Sequence, residues 1–170
     1  VQTHLIGAYN LDNILAAITV GYVNNIPFEQ INHAIANYVP QNNRSQMTVT
    51  AHNHLVVDAY NANPTSMKAA IDNFRMMEVL HKMAIIGKMG ELGDVSEEEH
   101  RKVVDMLTAA HFEEVWLVGE EFQDIPCAFR KFKDVEEVKA AIADGPSLTD
   151  RYILIKGSNS NKLFLLPELL

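Results

Sequence analysis

An apolar run that ends in a carboxylate and continues at once into an aromatic ring and two amides has the groups to hold a sugar and a flat ring. Asp58-Ala59-Tyr60-Asn61-Ala62-Asn63-Pro64 is such a string. Asp58 can accept ribose hydroxyls, Tyr60 can stack, Asn61 and Asn63 can donate, and Pro64 can open a helix whose first N–H groups face the same edge. The same residues also make an Asn-rich turn with Asn63 as N-cap, and their types alone leave both readings open. Lys156-Gly157-Ser158 sets a cation beside a permissive backbone, where an anion can dock. Gly87, Gly90 and Gly93 are spaced G-x-x-G-x-x-G, which differs from the dinucleotide fingerprint G-x-G-x-x-G, and a plain turn explains them equally well.

Other groupings fall short of a site. Glu97 and His100 have the i, i+3 spacing of a di-iron ligand pair, but no second copy and no further Glu ligands accompany them. His52 and His54 share one face of a strand without a third ligand placed nearby. No metal site is expected. Met67, Met76, Met77, Met83, Met89 and Met106 read mostly as gap-filling core residues.

The three loops must be held by regular elements, and the hydrophobic rhythm supplies them. Leu11, Ile14, Leu15, Ile18 and Tyr22 recur at helical spacing, and a second helix opens at Pro27 and stops at Pro40. The polar stretch Gln41 to Gln46 has no apolar anchor and marks a boundary, giving units 1–40 and 41–170. Beyond it, short β-rich runs at 47–50, 54–58, 83–87, 114–118, 128–132 and 152–156 alternate with helical ones near 65–79, 96–110, 134–143 and 159–169. That alternation predicts an α/β fold, a mostly parallel sheet covered by helices, with the loops after the strands as the place for ligands. Ser96 with Glu99, and Asp134 with Glu137, have capping-box spacing at two helix starts.

Composition excludes several classes. The 170 residues carry 14 Lys+Arg against 22 Asp+Glu, a formal net charge of −8, which argues against a general nucleic-acid binder. The 48% hydrophobic and 21% charged fractions are those of a globular chain. The single cysteine, Cys127, excludes an intramolecular disulfide and fits a reducing compartment, so a cytoplasmic location is expected. The first twenty residues do not read as a signal peptide, and no apolar run approaches the ~20 residues that span a bilayer.

Taken together, Gly7 to Ala17, Arg44, Asp58 to Met67, Gly87 to Gly93 and Lys156-Gly157-Ser158 resemble the Mur ligases in order and spacing, across essentially the whole chain. Within that family the Tyr-Asn-Ala-Asn-Pro-x-Ser-Met string points to the members that add D-alanyl-D-alanine to UDP-N-acetylmuramoyl-tripeptide. The resemblance implies a Rossmann-like C-terminal domain preceded by the helical end of a central ATPase domain. It also implies ATP and magnesium as cofactors, and an acyl phosphate attacked by the dipeptide amine in peptidoglycan precursor synthesis. Asn10, Asn13, Arg44 and Asp58 then match nucleotide-binding positions. Tyr60, Asn61, Asn63, Lys156 and Ser158 match the acceptor side. Tyr9 and Lys88 depart from the family's usual His and Asp.

No G-x-x-x-x-G-K-[ST] loop occurs in the 170 residues, so no catalytic residue is assigned and the chain by itself is expected to be inactive. Another Mur-type or folylpolyglutamate-type ligase, or a non-catalytic binding module of the same fold, are the alternatives.

Overall fold

The central strands are apolar on both faces, so each needs a covering layer on either side, and parallel sheets meet that need with crossover helices. The computed structural model describes residues 2–5, 7, 10–40 and 46–170; Tyr9 and Arg44 lie outside them. Two helices come first, α1 (Asn10–Val23) and α2 (Phe28–Asn37), with Pro27 as the N-cap of the second. A Cβ on Gly21 would come within 2.7 Å of Ile31, so the missing side chain is what lets the two helices close on each other.

The rest is β1 (Gln46–Val49), β2 (Asn53–Asp58), α3 (Pro64–Met76), β3 (Lys82–Gly87), α4 (Ser96–Ala110), β4 (Glu114–Val118), β5 (Arg130–Phe132), α5 (Val135–Asp144) and β6 (Arg151–Lys156). The sheet runs β1-β2-β6-β3-β4-β5, with only β1 antiparallel to its neighbour. Alternate strand residues divide the core. Val56, Ala84, Ile86, Leu117 and Leu154 pack with Met67, Ile71 and Phe74 of α3 and Val103, Val104 and Leu107 of α4. Leu55, Val57, Ile85, Trp116, Ile153 and Ile155 pack with Val135 and Val138 of α5 and with Leu163, Leu166 and Leu170. The expected architecture is present: a mostly parallel sheet with helices on both faces, preceded by two helices.

Two local expectations are corrected. The helix expected over 159–169 is instead a pair of 3-10 segments, Asn159–Asn161 and Leu163–Glu168, separated at Lys162, whose φ is 55°. Leu163 and Leu166 are both buried at three-residue spacing, which stacks them on one face of a 3-10 turn, and Pro167 lacks the N–H that a continuing α-helix would need.

Ser96 does not cap α4. The chain enters through a 3-10 turn, Gly93–Val95, and Ser96 is already helical, its carbonyl accepting from His100 Nδ1 at 2.7 Å. The Asp134 cap does form, accepting from the amides of Glu136 and Glu137 at 2.9 and 3.1 Å. Among the described residues, no helix is long and apolar enough to cross a membrane.

Candidate functional site

β2 and β6 are adjacent parallel strands in register, which puts their last residues, Asp58 and Lys156, side by side. The Lys156 side chain is fully buried and Nζ stands 3.2 Å from Asp58 Oδ2. Nζ also donates to the Asn61 carbonyl, so one ammonium ties the strand's carboxylate to the loop that follows it. Burial pulls the Lys156 pKa below its ordinary value, and the Asp58 charge and hydrogen bond oppose that pull.

The loop then turns into α3 through a reciprocal cap. Asn63 Oδ1 accepts from the Ser66 amide at 2.8 Å, and Ser66 Oγ accepts from the Asn63 amide at 3.1 Å. This realises the turn-and-cap reading for Asn63, whose side chain is committed to the helix start.

These residues form one wall of a cleft of about 740 Å³, with Asp58, Asn61, Asn63, Ser66 and Lys156 on the sheet side. The opposite wall comes from the helix pair: Asn10, Asn13, Ile14 and Ala17 of α1, and Ala34, Ile35 and Tyr38 from α2 and its end. Asn10 is buried, and Asn13 Nδ2 donates to Asn10 Oδ1 at 3.0 Å, so the two amides act as one polar patch on an otherwise apolar helix face. A cleft of this size, with an apolar ledge, paired amides and one carboxylate, suits a ligand that has a flat ring and hydroxyl groups.

Six of the expected site residues are therefore brought together: Asn10, Asn13, Asp58, Asn61, Asn63 and Lys156. Tyr60 is half exposed and outside the cleft lining. Ser158 is buried and turned to its own loop, its hydroxyl donating to Asn161 Oδ1 at 2.7 Å. Arg44 lies outside the described residues. The α2 contribution and Ser66 were not foreseen, and their sequence signal, an apolar helix face and a cap serine, is common to many helices.

The neighbouring loop is fixed by close packing. A Cβ on Gly87 would stand 2.8 Å from Asn161 Cγ and 2.9 Å from Leu163 Cδ1, both on buried residues. Gly87→Ala is expected to cost about 1–3 kcal/mol by overpacking, read as a lower urea midpoint at unchanged slope. Lys88 Nζ reaches Glu121 Oε1 at 2.7 Å. Burial pushes the Glu121 carboxyl up, yet the hydrogen bond and charge of Lys88 hold it below its ordinary value. His100, fully buried, accepts from the Met89 amide at 3.0 Å through Nε2 and anchors the loop's other end. Its spacing from Glu97 therefore serves packing. Among the described residues, no group of three or more His, Cys, Asp or Glu is arranged to hold a metal ion.

Known proteins share both sequence and fold with this chain. The sequence profile of the family described as "Mur ligase, glutamate ligase domain" matches residues 43–159. The protein named UDP-N-acetylmuramoyl-tripeptide--D-alanyl-D-alanine ligase from Treponema pallidum is 31% identical, covering 100% of this chain and 39% of that protein. The protein of the same name from Escherichia coli is 32% identical, covering 91% of this chain and 35% of its own length. The chain thus spans less than half the length of these relatives.

A crystal structure of MurF from Acinetobacter baumannii superposes with TM-score 0.81 at 24% identity, over 95% of this chain and 37% of that one. MurF from Thermotoga maritima, crystallised with ADP, gives 0.80 at 21% identity, over 97% and 38%. With the family profile covering well over half of its 170 residues, the chain belongs to the Mur ligase family.

Proposed function

We propose that this chain is the C-terminal part of an ATP-dependent ligase that joins D-alanyl-D-alanine to UDP-N-acetylmuramoyl-tripeptide in cytoplasmic peptidoglycan precursor synthesis. The observation that carries the reading is the cleft itself, where Asn10 and Asn13 line one wall and Asp58, Asn61 and Lys156 the other. The names of the relatives supply the substrates, and the ADP in the Thermotoga maritima structure supports an adenine nucleotide as the cleft's occupant.

In this reading Asn10 and Asn13 lie beside the adenine and ribose, Asp58 accepts a ribose hydroxyl, and Arg44 reaches the nucleotide as the two units close. Asn61 faces the reacting end of ATP and the incoming dipeptide. Magnesium, when bound, would neutralise charge on the transferring phosphoryl group; among the described residues no group of three or more His, Cys, Asp or Glu would hold it.

Residues 1–40 belong, on the same reading, to the ATPase unit. Support comes from the outward stripe of α1, where Leu11, Leu15 and Tyr22 are 58%, 51% and 70% exposed, an apolar face that the remainder of that unit would cover.

The test is phosphate release by the full-length enzyme in the presence of ATP and UDP-N-acetylmuramoyl-tripeptide. Release that depends on D-alanyl-D-alanine supports the proposal. Release with a single amino acid instead would move the chain to another Mur-type or folylpolyglutamate-type acceptor, and no release with any acceptor would favour a binding module. The 170-residue chain alone is expected to release none.

A further inference from the structure

Lys156 sits in a segment that the family resemblance places near the acceptor, yet its geometry points the other way. The side chain is fully buried, and its ammonium is already engaged by Asp58 Oδ2 at 3.2 Å and by the Asn61 carbonyl. A lysine whose charge is enclosed in this manner does not reach out to a dipeptide. What it does reach is the carboxylate at the end of β2, to which it is matched in strand register.

We propose that Lys156 is a positioning residue for the nucleotide side of the cleft: it holds the Asp58 carboxylate in the orientation that receives the ribose hydroxyls, and it fixes the loop backbone beside it. The inference rests on the nucleotide reading of the cleft given above.

The physical argument is one of complementary commitment. Asp58 lines the cleft with its side chain 16% exposed, and the ion pair engages it through Oδ2, leaving Oδ1 its lone pairs for hydroxyl donors. A carboxylate with one oxygen pinned in a buried ion pair has little rotational freedom left to lose when a ribose arrives, which is how a fixed neighbour raises affinity without touching the ligand. The second bond of the same ammonium, to Asn61, holds the loop at the distance from β2 that keeps the cleft open. Ser158, two residues on, is occupied with Asn161, so the segment offers the acceptor no free hydroxyl either.

The experiment compares adenosine with 2′,3′-dideoxyadenosine on the full-length enzyme, by chemical-shift titration, for wild type and K156M. Wild type is expected to prefer adenosine by about tenfold, the scale of one hydrogen bond to a charged group. K156M is expected to keep a dispersed spectrum and to bind the two nucleosides within about twofold of each other. If K156M loses its dispersed spectrum, K156Q, which keeps a donor for the Asn61 carbonyl but no charge, is judged by the same ratio. A wild-type ratio in the folded variant overturns the proposal, because a lysine that only supported the fold would leave ribose discrimination untouched. Failure of the full-length wild-type enzyme to bind adenosine at all overturns the nucleotide reading itself, a separate result from retained discrimination in the variant.

Discussion

Asn61→Ser in the full-length ligase is expected to lower turnover about 10²-fold while the melting temperature stays within about 2 °C of wild type. The two halves of that expectation come from different atoms of one residue. The backbone carbonyl of Asn61 is what Lys156 grips, and serine keeps it, so the loop retains its shape. The side chain is exposed and lines the cleft, so the substitution removes an amide from the site without opening a hole in the core. A positioning or charge-stabilising donor is commonly worth that much in rate when it acts on the reacting groups.

Asn63, two residues away, is the internal contrast. Its amide caps α3, and its replacement falls first on stability, by roughly 1 kcal/mol. Paired measurements of melting temperature and turnover on Asn61→Ser decide the matter. Unchanged turnover with a lowered melting temperature would reduce this loop to a turn and take Asn61 out of the ligand's reach.

The contrast between Asn61 and Asn63 also shows where the sequence is legible. Asn63 is readable as the cap because Pro64 beside it opens the helix, and the structure bears that out. What the string does not show is that Ser66, three residues beyond Asn63, closes a reciprocal bond.

The strands were readable almost to the residue because their apolar runs are short and bounded by Asp, Gly and Lys. Order in the sheet was not. Asp58 and Lys156 are 98 positions apart, and only the placement of β6 between β2 and β3 makes them partners. Strand adjacency is a long-range fact, so the ion pair at the floor of the cleft carries no local signature. His100 was obscure for a similar reason: a histidine on a charged helix gives no sign that a backbone amide eleven residues earlier will claim its ring. The 3-10 ending after β6 is not legible because Leu163, Leu166 and Leu170 fit helical spacing as well as they fit a 3-10 turn, and a lysine gives no sign of the left-handed φ of 55° that separates the two segments at Lys162.

Removing Asp58 is expected to produce the largest loss of stability of any single change in the cleft, about 3 kcal/mol for Asp58→Ala, because it leaves a fully buried ammonium whose one remaining partner among the described residues is the Asn61 carbonyl. The pair is asymmetric. Taking away Lys156 leaves a carboxylate that is 16% exposed and borders the cleft, where water can reach it, so K156M should cost distinctly less than Asp58→Ala.

The double variant D58A/K156M carries no buried charge and should recover most of the Asp58→Ala loss, giving a coupling that additive effects would not produce. The pH dependence follows from the direction of the Lys156 shift. Its pKa in the folded state is lowered from 10.5 by burial, so the unfolded chain binds the extra proton over the interval that ends at 10.5 and stability rises with pH across it. Asp58 counters that lowering, and without it the folded-state value falls further. The Asp58→Ala deficit should therefore be larger at neutral than at alkaline pH and shrink as pH rises past 10.5, above which the lysine is neutral in both states. Urea unfolding of the four proteins at neutral and alkaline pH measures both effects. Additive losses with no pH dependence would mean that the Lys156 charge is solvated and that the floor of the cleft is held by packing alone.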